Sequence, residues 1–267
     1  MDDRTRLYQF VRGQWQPVAG APATEPAAGR VLTWNGWFGD HMAEERREAI
    51  QRELDRRRPD VIALQEVTPA LLEELTAEPW VRSRYQLSDV ELWQRYDVVM
   101  LARVPVRCVT SLELPSAMGR RVLGFELACG LVVATVHLES MKEHAEARAT
   151  QLQRIQPFLA DLGPDTALVG DMNFKPDDAL ETAAIDPRFV DAWPALHPTD
   201  AGFTADSVAN SMRYMLKPTL SQKRIDRVFV SGRWRATAIE LVGAQPLDDE
   251  GTFVSDHFGL EAVLTPT

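Results

Sequence analysis

The stretch Asp60-Val61-Ile62-Ala63-Leu64-Gln65-Glu66 constrains the fold of this chain more than any other. Its apolar run is nearly continuous, so it reads as a strand buried on both faces. A second short run, Thr166-Ala167-Leu168-Val169, also reads as a buried strand and ends on Gly170, where the backbone can turn sharply. Strands of this kind need structure on each side of their sheet, and the remaining pattern supplies it.

Residues 42–58 carry Ala43, the Arg46 stem, Ile50 and Leu54 at helical spacing. Their many Glu and Arg neighbours read as a solvated, salt-bridged face, and Pro59 ends the helix. Further helices are predicted over 69–77, over 142–162 with a stripe of Leu152, Ile155, Leu159 and Leu162, and over 176–184. Strands are predicted over 31–35, 60–66, 224–231, 234–241 and 257–264. Four more, over 97–103, 106–114, 121–127 and 131–137, are separated by short turns and predict antiparallel hairpins. Residues 188–218 read as irregular. Residues 7–11 and 14–18 flank Arg12-Gly13 as a hairpin, and the Ala/Pro/Gly-rich 19–28 reads as a linker. No such linker interrupts 30–265, which predicts an N-terminal hairpin and linker over 1–29 and one catalytic-size domain over 30–267. Strand runs with helices outside imply an α/β fold of αββα type, a four-layer sandwich of two packed mixed sheets flanked by helices.

The two cysteines, Cys108 and Cys129, form neither a disulfide framework nor a zinc spacing, and read as buried thiols in a reducing compartment. The opening Met1-Asp2-Asp3-Arg4 begins no apolar signal segment, and no apolar run reaches membrane-spanning length; a cytoplasmic protein is expected. A net charge of −10 argues against indiscriminate nucleic-acid binding. Residues 207–235 nevertheless hold Arg213, Lys217, Lys223, Arg224, Arg227, Arg233 and Arg235 against Asp226 alone. That local surface suits a phosphate-bearing ligand or is simply a solvated basic loop.

Polar residues collect at the predicted strand ends: Trp34-Asn35, Gln65-Glu66, His137, Gly170-Asp171-Met172-Asn173, Asp226 and Ser255-Asp256-His257. Alone, Gly-Asp-x-Asn is as well read as an Asx-turn, and Glu66 as an exposed strand-end carboxylate. Together they offer what phosphodiester hydrolysis needs: carboxylate oxygens for a hard cation such as Mg²⁺ or Mn²⁺, a group to orient water, and donors for charge on the phosphate. Glu66 is the best candidate ligand; Asn35 either holds it or binds the metal. Asp226 and His257 read as a carboxylate–imidazole pair that leaves a charged donor, and His137 as a second donor.

In this order, with Arg224-Ile225-Asp226-Arg227 included, these motifs resemble the endonuclease/exonuclease/phosphatase superfamily over nearly the whole chain after residue 30. His137-Leu138-Glu139-Ser140, His144-Ala145, Ala147-Arg148, Phe203-Thr204 and Asn210 are similar to its 5'-tyrosyl-DNA phosphodiesterase branch. The resemblance implies Glu66 as metal ligand, helped by Asn35 and, through water, Asp256. It implies Asp171 orienting the attacking water, Asn173, His137 and His257 holding the phosphate, and Asp226 orienting His257. Ser140, Lys175, Phe203, Asn210 and Arg224 become the substrate-binding side. Three departures are visible: Trp37 where relatives often carry an acid, Lys175 in place of an arginine, and Ala205 in place of an aromatic.

The implied function is a Mg²⁺- or Mn²⁺-dependent phosphodiesterase removing tyrosyl or similar adducts from single-stranded or frayed 5' nucleic-acid ends, acting as a monomer without a membrane. The alternatives are another hydrolase of the superfamily, acting on abasic or RNA ends or on inositol or lipid phosphates, and a catalytically silent binding protein.

Overall fold

The computed structural model describes residues 6–267; the opening Met1-Asp2-Asp3-Arg4, read above for a signal segment, lies outside the described residues. In chain order the strands are β1 (Leu7–Val11), β2 (Gln14–Val18), β3 (Gly29–Asn35), β4 (Val61–Val67), β5 (Gln86–Leu87), β6 (Asp97–Ala102), β7 (Val106–Glu113) and β8 (Arg121–Leu127). Then come β9 (Val132–His137), β10 (Thr166–Asp171), β11 (Val190–Asp191), β12 (Ala205–Asp206), β13 (Gln222–Lys223), β14 (Asp226–Ser231), β15 (Trp234–Val242) and β16 (Gly259–Pro266). The helices are α1 (Ala43–Arg57), α2 (Pro69–Ala77), α3 (Pro79–Arg84), α4 (Ala145–Leu162), α5 (Ala179–Ala183), α6 (Ala192–Leu196) and α7 (Ser211–Leu216).

Two mixed sheets pack face to face. One has eight strands in the order β15-β16-β3-β4-β6-β5-β1-β2, the other six in the order β11-β14-β10-β9-β8-β7. The alternation of each strand divides its residues between cores. On β4, Val61 and Ala63 face the other sheet, while Ile62 and Leu64 face Ile50 and Leu54 of α1 and Leu71 and Leu75 of α2. On β10, Ala167 and Val169 face inward, and Leu168 meets Leu152, Ile155 and Leu159 of α4. The four-layer αββα order follows from that double burial.

Several sequence expectations change in detail. β6 and β7 are not a hairpin: β6 belongs to the eight-stranded sheet and β7 to the six-stranded one, the chain crossing at Arg103-Val104-Pro105. The N-terminal hairpin extends the large sheet, with Tyr8 opposite Leu87. The stretch 188–218 contains α6 and α7, each too short to show a helical period. The helix expected over 176–184 shrinks to Ala179–Ala183. The cysteines are free but only half-buried.

Parallel pairing sets where the site forms. β3 runs parallel to β4 with Asn35 opposite Gln65, and β9 parallel to β10 with His137 opposite Asp171. Antiparallel β14 then brings its first residue, Asp226, opposite Asp171. Gly170 makes the β9–β10 approach possible: its φ is 129°, and an added Cβ would lie 2.1 Å from the Val136 carbonyl oxygen.

Candidate active site

Glu66 reaches the site through a local break in strand register. Regular alternation would send it toward α1 with Leu64, but β4 slips against β6 between Leu64 and Val67, and Glu66 has φ 56°. Such a bulge re-aims a side chain. Gln65 keeps its inward direction and joins the sheets, donating to Thr33 Oγ1 at 3.0 Å and Thr135 Oγ1 at 2.8 Å. Asn173 is likewise left-handed at φ 56°; its N–H donates to Asp171 Oδ1 at 2.9 Å and its amide to the Leu138 carbonyl at 3.0 Å.

Asp171 is held on both oxygens, since Asn35 Nδ2 donates to its Oδ2 at 3.0 Å. Burial, reinforced by Asp226, raises its carboxyl to about 7. His257 Nδ1 lies 2.8 Å from Asp226 Oδ2. Burial opposes the charge on this imidazole, but Asp226, Asp256 and Asp171 outweigh it and raise it to about 10. His257 is therefore a cation at neutral pH. His137 is the reverse: burial, then the charges of Arg120 and His257, hold it well below the usual imidazole range. It is neutral, so its 3.5 Å and 3.8 Å approaches to Asp171 and Glu66 are contacts of a neutral ring.

Glu66 accepts from the Phe38 N–H at 3.0 Å and from Asn35 Nδ2 at 3.1 Å. Burial pushes its carboxyl above the ordinary range. Among the described residues no side-chain cation stands within ion-pair distance of it, and Asp256 adds negative charge nearby. This oxygen-rich, under-compensated pocket fits a hard divalent cation. Asn35 orients Glu66 through Nδ2, which bridges the two carboxylates, and spends one lone pair of Oδ1 on the Trp37 N–H at 2.9 Å, leaving the second for a ligand. Asp171, Asp226 and His257 also place ligand atoms within 4.8 Å of one another. His257, protonated and bound to Asp226, has no free lone pair there, which favours the Glu66 side for a cation.

The structure thus gathers Asn35, Glu66, His137, Asp171, Asn173, Asp226 and His257, with Ser140 beside Asn173 at 3.4 Å. Asp256 joins them but is already paired with Arg213 at 2.6 Å. The remaining expectations are occupied elsewhere. Lys175 pairs with Asp177 and Asp178 at the surface. Arg224, with Arg227, is engaged by half-buried Asp191. Asn210 caps α7 through the Arg213 N–H and donates to the Ser255 carbonyl, a structural tie. Phe203 is half-buried, and Ala205 is fully buried.

Sequence reasoning missed four residues. Arg120 places its guanidinium 3.0 Å from His137 Nδ1 and donates to Ser140 Oγ at 3.0 Å; it is buried, has no carboxylate partner among the described residues, and leaves Nε unpaired. Nothing in Gly119-Arg120-Arg121 marks it out. Tyr96 lies under Arg120 at 5.5 Å and stacks on exposed Phe38 at 4.5 Å. Arg46 donates to the carbonyls of Gly36, Trp37, Gly39 and His41 and lies 4.2 Å from the Trp37 ring. The loop that carries the Trp37 and Phe38 N–H groups is thereby fixed. Arg46 falls on the helical stripe, where its sequence position shows only a packed stem.

The profile of the Endonuclease/Exonuclease/phosphatase family matches residues 32–257. Tyrosyl-DNA phosphodiesterase 2 of Mus musculus is 26% identical over 260 residues, covering 92% of this chain and 68% of its own length. The Homo sapiens protein of that name is 29% identical over 247 residues, covering 86% and 66%. The crystal structure of D. rerio TDP2 complexed with single strand DNA product superposes with a TM-score of 0.76 at 22% identity, covering 90% of this chain and 99% of that one, a likeness of fold. A match across the sandwich and every strand-end motif places this chain in the Endonuclease/Exonuclease/phosphatase family, among its phosphodiesterase and nuclease hydrolases.

Proposed function

We propose that this chain is a Mg²⁺- or Mn²⁺-dependent phosphodiesterase that hydrolyses phosphotyrosyl or similar aryl adducts at 5' nucleic-acid ends, leaving a 5'-phosphate. The observation that carries the reading is the opposition, around buried Asp171, of a charged His257 on one side and neutral His137 with a carboxylate-free Arg120 on the other. The name carried by the relatives from mouse and human supports the aryl ester as substrate.

In this reading Asp171, raised to about 7, orients the attacking water and takes its proton. The water oxygen bonds to phosphorus, the bond from phosphorus to the aryl oxygen breaks, and its electron pair leaves on the phenolate. A phenol with a pKa of about 10 leaves far more readily than an alcohol. His257, kept oriented and charged by Asp226, donates to the phosphate oxygens. Arg120 lies 3.0 Å from His137 Nδ1 and 3.3 Å from Nε2. With the nearer Nδ1 accepting, Nε2, which also faces Asp171 and Glu66, carries the hydrogen. Asn173 adds the amide hydrogen not given to the Leu138 carbonyl. Arg120, a buried cation with no carboxylate partner among the described residues, would meet the developing phenolate. Glu66, with Asp256 at its back and Asn35 orienting it, would hold the divalent cation, which supplies Lewis-acid polarisation of the phosphate when bound.

Beside Asp256, α7 exposes Tyr214, Met215 and Leu216, with Leu220 following and Lys217 and Lys223 close in sequence. An apolar surface flanked by cations suits unpaired bases better than an intact duplex. Among the described residues no helix is long and apolar enough to cross a membrane. We place the catalytic unit in residues 30–267, acting as a monomer in the cytoplasm.

The test is a side-by-side hydrolysis screen with Mg²⁺ of a 5'-phosphotyrosyl oligonucleotide, an abasic duplex, a 3'-blocked end and an inositol phosphate. The 5'-phosphotyrosyl substrate should lead the abasic duplex by at least about tenfold. If the abasic duplex is faster, the aryl-adduct reading fails and only the family assignment stands.

A further inference from the structure

We infer that Glu139, which touches none of the reacting groups, is the positioning residue for Arg120, and through it for the leaving-group side of the site. The inference rests on the phosphodiesterase reading above. Glu139 is 1% exposed and has no cationic partner among the described residues. Its carboxylate is instead filled by three donors: the Ala117 N–H on Oε1 at 3.0 Å, and Ser116 Oγ at 2.5 Å with Gln151 Nε2 at 3.2 Å on Oε2. Ser116 Oγ also accepts from the Met118 N–H at 3.0 Å. One buried carboxylate thus ties down residues 116–118 of the loop that leads to Arg120, whose own carbonyl accepts from the Leu114 N–H at 2.9 Å just before β8.

Glu139 is itself clamped from α4. Gln151 accepts from its N–H at 2.9 Å and donates to the Pro115 carbonyl at 3.0 Å, and Arg148 donates to its carbonyl at 3.0 Å. Arg148 is locked by Glu181 of α5 at 2.7 Å. On the far side of the loop, Gln94 donates to the Gly119 carbonyl at 2.6 Å. Contacts therefore run from α4 through Glu139 and the loop to a guanidinium whose partners among the described residues, His137, Ser140, Met118 and the Tyr96 ring, are all neutral. A cation held by neutral groups is free to meet an anion, but its place must be fixed by the backbone that carries it.

The substitution Glu139→Gln keeps the shape and replaces one acceptor oxygen by a donor, so a loop donor loses its partner. Two synthetic 5' aryl esters of the same oligonucleotide, phenyl and p-nitrophenyl, are the probes. Loss of a placed guanidinium should slow the phenyl ester by about tenfold or more, the usual cost of a lost supporting partner, and the p-nitrophenyl ester, whose anion needs less stabilisation, much less. Ser116→Ala should show the same selectivity in weaker form. A general disturbance would slow both esters alike; that result, or no change in either, overturns the inference. An activity-independent measurement accompanies it: the ¹⁵N–¹H signal of Arg120 Nε, expected sharp in the parent protein and broadened in Glu139→Gln. If neither ester is cleaved by the parent protein, the function reading has failed, and the Arg120 signal alone decides the positioning role, an unchanged signal refuting it.

Discussion

In the proposed mechanism Asp171 must be buried and take a proton, and its neighbours reconcile the two. Burial and Asp226 lift its carboxyl to about 7, which places a base near neutral pH. The sign of the pH dependence follows. The base works deprotonated, so kcat/KM should rise as pH increases through about 7. It should fall again as His257, raised to about 10, loses its proton and its charge. A profile without the acidic limb would remove Asp171 from the base role. Asp171→Asn should cost on the order of 10²-fold or more in kcat, while Mg²⁺ affinity by calorimetry changes little. Glu66→Gln should show the opposite pattern, with loss of Mg²⁺ binding in a folded protein. At this scale the sequence exposed the acids and histidines, because motif spacing marks strand ends. It concealed Arg120, whose importance comes from the loop that places it, and it could not show that Arg224 and Asn210 are engaged by Asp191 and Ser255, which are tertiary neighbours, whereas the Lys175 partners Asp177 and Asp178 lie next to it in the chain.

At the scale of elements, the site depends on three strand ends brought level: His137, Asp171 and Asp226 are direct register partners. A one-residue slip would turn each to the wrong face. Gly170 guards that register, so Gly170→Ala tests it. The added methyl would meet the Val136 carbonyl carbon at 3.1 Å and its oxygen closer still, at a backbone φ that favours glycine. We expect a loss of more than about 2 kcal/mol in chemical denaturation, with activity falling in parallel; wild-type stability would show that β9 and β10 can separate without cost. Long elements are legible because α1 and α4 carry enough residues to show a helical period, while β4 and β10 are near-continuous apolar runs. The assignment of β6 and β7 to different sheets is not, because a three-residue connection looks the same whether it closes a hairpin or crosses between sheets.

At the scale of the molecule, an acidic chain of net charge −10 concentrates seven basic residues in 207–235. Much of the basic stretch 207–235 is neutralised locally: Arg213 by Asp256, Arg224 and Arg227 by Asp191, Arg233 by Asp165. Binding of single-stranded ends should therefore depend only shallowly on salt. The slope of log K against log[salt] is expected no steeper than about −3, since each phosphate contact on a single strand contributes about −0.7. Titrations giving about −7 would show a long tracked backbone and contradict an end-binding mode. The sequence by itself determined the layered sandwich and the inventory of carboxylates and histidines, because periodicity and strand-end chemistry are local properties. Tertiary structure decided which cations are free and which are spent, which histidine is charged, and where Arg120 points. Those depend on burial and on partners brought in from distant strands and loops, so no window of the sequence contains them.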